Sequence, residues 1–420
     1  MKRKQTIINF FVLLMKSALL WACLLVPAWA LAAENKVEGV LPLTQLIQET
    51  LDQNPDIKAA ERRWEAAKAR IPQVQTLPDP KINLGYRELS ARETSYGFSQ
   101  ALPFPGKLRL RGEVAASEAD INEQDYLATA LQVIAALKQS YYDLHFIHES
   151  EAILENTRRL LIQFEATAEA RYGVGQSAQQ DIFRAQAEIS RLLARLATLE
   201  QKKQSLHADI NRLLNRPPAD PLGSPEAIQM TSLKHKLEGL NSLLDQSAPL
   251  LLQRAKGVER GGKAVELAKR DYYPNFELGA AGLREEPMGK NGYQVMLSVE
   301  VPLYFQTKQS QAVREAQAGR EAAVEDLQSI RQELLFRIKD NVAQSERAEQ
   351  LVKILGEAII PQARLTLASA QAGYAVGKVD FLTLLNSLLT LQENEIERHG
   401  EMVEHEKALA RLEAIIGEQP

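Results

Sequence analysis

Pro80-Lys81-Ile82-Asn83-Leu84 returns as Pro274-Asn275-Phe276-Glu277-Leu278, and Asn54-Pro55-Asp56-Ile57 returns as Ala248-Pro249-Leu250-Leu251, each copy 194 residues after its original. A shared offset marks a tandem duplication. Farther on, Tyr172-Gly173-Val174-Gly175 returns as Tyr374-Ala375-Val376-Gly377, and Ile210 to Leu214 as Leu412 to Ile416, both 202 residues on, so a few residues have been inserted between. Each half reads as a Pro-marked helix, two strands, a very long helix, a Gly turn and a returning helix. The expected fold is mainly α with a small β part: a first repeat over residues 33–216, an irregular link over 217–246 and a second repeat over 247–420.

The segments after Pro80 and Pro274 alternate strictly. Ile82, Leu84 and Tyr86 point one way and Lys81, Asn83, Gly85 and Arg87 the other, and Tyr96 and Phe98 oppose Ser95, Gly97 and Ser99. The second half repeats this, with Phe276, Leu278 and Ala280 against Glu277, Gly279 and Ala281, and Tyr293, Val295, Leu297 and Val299 against Gln294, Met296, Ser298 and Glu300. This period predicts strands at about 81–89, 94–102, 275–283 and 293–301, each about 9 residues, the length a tilted strand needs to cross a bilayer. Two solvent-exposed hairpins on a helical body would alternate too. Because open edges are not tolerated in lipid and four strands cannot enclose a lumen, the membrane reading requires a barrel shared between subunits. Three chains would supply twelve strands, past the roughly eight that side chains fill.

Between the strands and the Gly turns lie the longest segments. Lys107 to Arg171 contains no proline and as one helix would span on the order of 100 Å; its counterpart from Lys308 to Ala372 must kink or break at Pro361. The returning segment carries a heptad seam of Ile182, Ile189, Leu196 and Ile210 with Ala185, Leu192, Leu199, Leu206 and Leu213, broken only by Lys203. Such a seam predicts laterally packed coiled-coil helices.

Lys2, Arg3 and Lys4 before an apolar run ending Ala30-Leu31-Ala32-Ala33 read as a secretory signal over residues 1–32, with Met15 an alternative start and a retained inner-membrane helix the alternative reading. Leu20-Trp21-Ala22-Cys23 is similar to a lipid-attachment box, but apolar residues follow Cys23, the only cysteine. Removing Lys2, Arg3, Lys4 and Lys16 takes the formal charge from −4 to −8, and no concentrated basic face suggests a nucleic-acid partner. No catalytic, cofactor or metal constellation stands out. His145 and His148 share a helix face without a further ligand, and Gly261-Gly262-Lys263 lacks phosphate-loop spacing. The expectation is a protein that is not an enzyme and has no cofactor.

Ser99-Gln100-Ala101-Leu102-Pro103-Phe104-Pro105-Gly106-Lys107-Leu108 is similar to the strand-to-helix junction of the heavy-metal branch of the TolC family of outer-membrane efflux channels. Tyr172-Gly173-Val174-Gly175 followed by Asp181, Ala185 and Gln186 resembles that family's periplasmic hairpin, with Tyr374, Gly377 and Thr383 in the matching places of the second half. The resemblance covers about Leu43 to Gly417. It implies a homotrimer with a twelve-stranded barrel in outer-membrane lipid and a helical tunnel across the periplasm, meeting a membrane-fusion adaptor coupled to an RND-type inner-membrane pump. The channel would passively conduct metal ions or small toxic compounds. Tyr172, Gly175, Asp181, Tyr374, Gly377, Asp380, Thr383 and Asn386 are then the candidates for adaptor contact and gating. The family often carries acidic residues where Thr383 and Asn386 stand, with Asp380 displaced by one turn, so an acidic ring at that level is not expected. A periplasmic coiled-coil adaptor or a structural scaffold are the alternatives; the first should carry a Gly-rich β domain, and the second has no use for amphipathic strands.

Overall fold

The computed structural model describes residues 39–88, 92–233, 235, 237–287 and 289–417. The signal segment, Cys23, the Met15 start and the cleavage site lie outside them. In chain order the elements are β1 (Val40–Leu41), α1 (Leu43–Gln53), α2 (Pro55–Gln75), β2 (Lys81–Glu88), β3 (Arg92–Leu102), α3 (Lys107–Gly173), α4 (Gln179–Leu213), β4 (Ser224–Pro225), α5 (Leu237–Ser247), α6 (Pro249–Arg270), β5 (Asn275–Glu286), β6 (Lys290–Glu300), α7 (Gln309–Ile354), a π turn (Leu355–Ile359), α8 (Ile360–Ala375) and α9 (Phe381–Ile416). The two halves repeat the same order, and their strands join one antiparallel sheet, β2-β3-β5-β6.

Local chemistry explains the breaks. Asn54 caps α2, accepting from the N–H groups of Asp56 and Ile57, while Pro55 occupies the first turn, where its missing N–H costs nothing. Gly106 takes φ 92° to turn the chain from β3 into α3. Pro361 interrupts its helix as the sequence requires: the ring would collide with the carbonyl four residues back, and an extra residue is accommodated in the π turn, where the Ile360 N–H reaches Leu355 O.

Three apolar clusters hold the helices together. One, near the Gly turns, joins Leu161, Phe164, Ala185 and Leu192 to Leu367, Phe381 and Leu388. Another packs Leu46, Ile47, Leu137, Leu144 and Ile210, and the third packs Leu240, Leu244, Leu334, Ile338 and Leu412. Lys203, the break in the heptad seam, is satisfied by Glu151 at 2.9 Å and Glu200 at 2.6 Å. The link is tied down by β4, which pairs in parallel with β1.

Candidate functional site

Two regions are exposed in a way that packing within the chain does not explain. The first is the sheet. Its register aligns Ile82 with Phe98, Ala280 and Val295, and Leu84 with Tyr96, Gly282 and Tyr293. These residues share one face, on which Ile82 is 80% exposed and Tyr293 89% exposed. The opposite face carries Asn83, Gly97, Ala281 and Gln294 in one row and Lys81, Ser99, Gly279 and Met296 in the next. Gly97 is needed there, since a Cβ would lie 2.4 Å from the Ala280 carbonyl oxygen. The outer edges of β2 and β6 have no partner strand among the described residues. No helix among these residues is long and apolar enough to cross a membrane.

The second region is the pair of Gly turns, where the strongest of the sequence candidates gather. Gly175 has φ 73° and Gly377 φ 75°, and both end a helix with the same bonds. The Gly175 N–H donates to Tyr172 O at 2.9 Å and the Gln176 N–H to Arg171 O at 2.8 Å, matched by Gly377 to Tyr374 at 3.1 Å and Lys378 to Gly373 at 2.9 Å. Paired bonds of this kind satisfy the last helix carbonyls and need a residue that tolerates positive φ.

Arg171, which sequence reasoning passed over, joins the two turns. Its guanidinium donates to the carbonyls of Tyr374 and Ala375 at the end of α8 and to Gln176 O in its own turn. The guanidinium also lies 4.9 Å from the Tyr374 ring centroid. A cation serves well there because the C-terminal end of a helix carries partial negative charge. One local signal was available: the repeat puts Arg171 before Tyr172 but Gly373 before Tyr374, so only the first hairpin carries a cation at that position.

The other candidates divide. Tyr374 is buried against Phe381, ring centroids 5.7 Å apart at 65°, whereas Tyr172 is exposed. Asp380 caps α9, accepting from the Thr383 N–H at 2.9 Å, and the Thr383 hydroxyl and N–H hold its carboxyl below the usual range. Asp181 stands in the first turn of α4, and burial pushes its carboxyl up; Arg184 opposes the rise and Asp380 adds to it. Thr383 and Asn386 are exposed on α9. Thus an acid from each hairpin reaches the same locality, although Thr383 and Asn386 stand where the family often carries acids.

Among the described residues no group of three or more His, Cys, Asp or Glu is placed to hold an ion. His145 is buried, and the Nε2 atoms of His148 and His207 are buried without partners.

A family model described as outer membrane efflux protein matches residues 46–216 and 240–418. The chain belongs to that family. It is an outer-membrane protein that extends into the periplasm. It is 19% identical over 390 residues to the cobalt-zinc-cadmium resistance protein CzcC of Cupriavidus metallidurans, covering 91% of both chains. Its fold is similar to that of CusC (TM-score 0.80, 17% identity, 90% of this chain and 92% of that one) and of the outer-membrane channel OprN (0.78, 18%, 89% of each). It is also similar to VceC of Vibrio cholerae (0.77, 18%, 89% of this chain and 96% of that one). OprN is described as an outer-membrane channel and CusC as forming a transmembrane channel. A periplasmic adaptor or a structural scaffold does not fit membership of this family.

Proposed function

We propose that the chain assembles as a homotrimer and serves as the outer-membrane channel of a three-part efflux system, passively conducting what an inner-membrane pump of the RND type delivers through a periplasmic adaptor. The observation that carries this is the sheet: four antiparallel strands with one apolar exposed face and two edges unpaired among the described residues, joined to a 67-residue helix. In the order β2-β3-β5-β6 the outer strands run in opposite directions, so β6 of one copy can pair antiparallel with β2 of the next. Three copies then close a barrel of twelve strands with no edge left in lipid. The face of Ile82, Phe98 and Val295 meets lipid and the face of Asn83, Gly97 and Gln294 lines the bore.

The Gly turns are then the periplasmic ends of the tunnel. Tyr172, Gln176 and Lys378, exposed at these ends, face the adaptor. Arg171 staples the hairpins together in the closed tunnel, with Asp181, Asp380, Thr383 and Asn386 around the constriction. Tyr374 acts from within, as the surface on which Arg171 rests. The likeness to CzcC favours divalent metal ions as cargo.

Outer-membrane fractions should yield heat-modifiable trimer bands, and purified trimers should conduct in planar bilayers. Deleting the gene should lower tolerance to cobalt, zinc and cadmium salts. Monomers confined to the soluble periplasm would overturn the channel reading, and unchanged metal tolerance with increased sensitivity to organic toxicants would overturn the metal assignment alone.

A further inference from the structure

The duplication builds two strand-to-helix junctions, and the chain covers one of them. In the first, β3 passes through Pro103-Phe104-Pro105-Gly106 into α3. Phe104 is half-buried, its ring stacked on Tyr273 with centroids 4.5 Å apart. Lys107, the first residue of α3, is closed off from water with its ammonium on Asn275 Oδ1 and Tyr273 O. These covering groups come from Asp271 to Asn275, the stretch that leads into β5 in the other repeat.

In the second junction β6 passes through Val301-Pro302-Leu303-Tyr304-Phe305 into α7. Here Leu303 is 74% and Tyr304 75% exposed, and Val301 and Phe305 are exposed beside them. Adjoining apolar side chains left in water mark an interaction surface. Gln309, the first residue of α7, is buried as Lys107 is, yet its Oε1 has no hydrogen-bond partner. Buried acceptors are nearly always met, so an unmet one calls for a partner.

The repeat identifies the missing cover. The stretch leading into β5 is the later copy of the stretch leading into β2, 194 residues earlier. Asn275, the first residue of β5, thus corresponds to Lys81, the first of β2, and Asp271-Tyr272-Tyr273 to Leu77-Pro78-Asp79. In the order β2-β3-β5-β6 that earlier stretch lies at the far edge of the sheet from β6, so it cannot serve the second junction of its own chain. Leu77 to Lys81 are all exposed, and the Lys81 ammonium has no partner among the described residues. Gln100 Nε2 donates to Pro78 O at 2.6 Å and holds the stretch in place. In a second copy whose β2 lies beside β6, the stretch stands over the Tyr304 loop as Asp271 to Asn275 stand over Phe104. The polar pair is then inverted: a lysine on the helix and an amide on the strand within a chain, an amide on the helix and a lysine on the strand between chains.

We propose that the second junction is closed by this stretch of a second copy. Lys81 of the partner subunit donates to Gln309 Oε1 as the amide turns toward it, a charge-assisted bond, and Leu77 and Pro78 of the partner subunit cover Leu303 and Tyr304. This rests on the trimeric channel reading and deepens it by naming the contact that joins one copy to the next at the base of the barrel. The contact is head-to-tail, Gln309 at one edge of each copy and Lys81 at the other, as a closed ring requires.

The test uses trimers of the full chain extracted from outer membranes, read as the temperature at which the trimer band is lost on a heated gel. Lys81→Gln, which at an exposed lysine without a partner would change nothing, should lower that temperature by several degrees. Gln309→Lys, which sets two cations against each other, should lower it further. The double variant exchanges the two groups, reproduces the chemistry of Lys107 with Asn275, and should return the temperature to that of the wild type. Wild-type temperatures in both single variants, or a double variant no better than the worse of them, overturn the contact. Independently, Lys81→Cys with Gln309→Cys in a Cys23→Ser background, treated with a short bis-maleimide, should give covalent dimers and trimers, and neither cysteine alone should. If the lysine variants at Gln309 do not assemble, this crosslink decides. Trimers whose two cysteines do not link overturn the contact and leave the channel reading intact, with the Tyr304 loop then facing lipid. Absence of trimers in the wild type overturns both.

Discussion

Lys107 Nζ lies 2.9 Å from Asn275 Oδ1, so the first residue of the first long helix is bonded to the first residue of the strand that opens the second half of the sheet. The same ammonium donates to Tyr273 O at 3.1 Å and pairs with Asp271 at 3.3 Å, and it is almost fully buried. One cation thereby holds the two strand-to-helix junctions together.

Replacing it should be costly. Lys107→Met leaves the Tyr273 oxygen without this donor and Asn275 Oδ1 with only the Phe104 N–H at 3.3 Å, and a buried group left unmet costs about 1–3 kcal/mol. Trimers of this variant should dissociate at lower temperature in a heated-gel series. Lys107→Arg should not restore the wild-type value, because a planar fork does not match acceptors arranged around a point charge. Wild-type heat resistance in Lys107→Met would show that the junctions are held by packing alone.

The faces of the sheet can be tested by neighbouring residues. Leu297 pairs with Leu278 on the apolar face and Ser298 with Glu277 on the polar one. An arginine facing lipid near the midplane costs about 2–4 kcal/mol, so Leu297→Arg should reduce trimer yield while Ser298→Arg assembles and alters conductance. Equal yields would contradict the assignment of faces.

Cysteines at Gln176 and Lys378, exposed in the two turns, should crosslink to the helical hairpin of the adaptor. Gly377→Ala should impair export more than Gly175→Ala. Both residues have positive φ, a strain of about 1–2 kcal/mol for other residues, but only at Gly377 would the new Cβ also approach Arg171 Nη2, at 3.1 Å. Labelling of either cysteine from outside intact cells would show that the orientation is inverted.

Acid should loosen the helical body. Burial lowers the pKa of His148 and of His207 below the ordinary 6.5; Lys203 adds to the fall at both and His148 adds to it at His207, with Glu151 and Glu200 opposing. The folded protein therefore binds fewer protons than the unfolded chain. The stability in question is complete above pH 6.5 and declines as pH falls through the lowered values. Melting temperature by circular dichroism should drop between pH 7 and pH 5, and the His148→Gln, His207→Gln double variant should drop less. Identical slopes would place the sensitivity elsewhere.

The leader is a question of mass. Ala30-Leu31-Ala32 and the apolar stretch after Cys23 predict a mature chain starting near Ala33, with Cys23→Ser leaving trimer yield unchanged. An acylated chain starting at Cys23 would reverse this.

What the sequence settled by itself are the properties written in short periods. Alternation at every second residue defined the strands within a few positions, the proline-free run from Lys107 defined the longest helix, and Gly175 and Gly377 marked both turns, because backbone period, helix length and positive φ depend on residues close in the chain. Pairing between the halves was not legible. That Phe98 lies beside Ala280, that Arg171 caps the end of α8, that Tyr374 turns inward while Tyr172 does not, and that Asp181 comes near Asp380 all depend on how helices about 200 residues apart in sequence are placed. Even Pro361 announced only that its helix must break. Whether the break became a kink or a π turn opening a cleft toward Arg398 depended on what α9 placed opposite, and close packing between distant segments decides that after local preferences have been met.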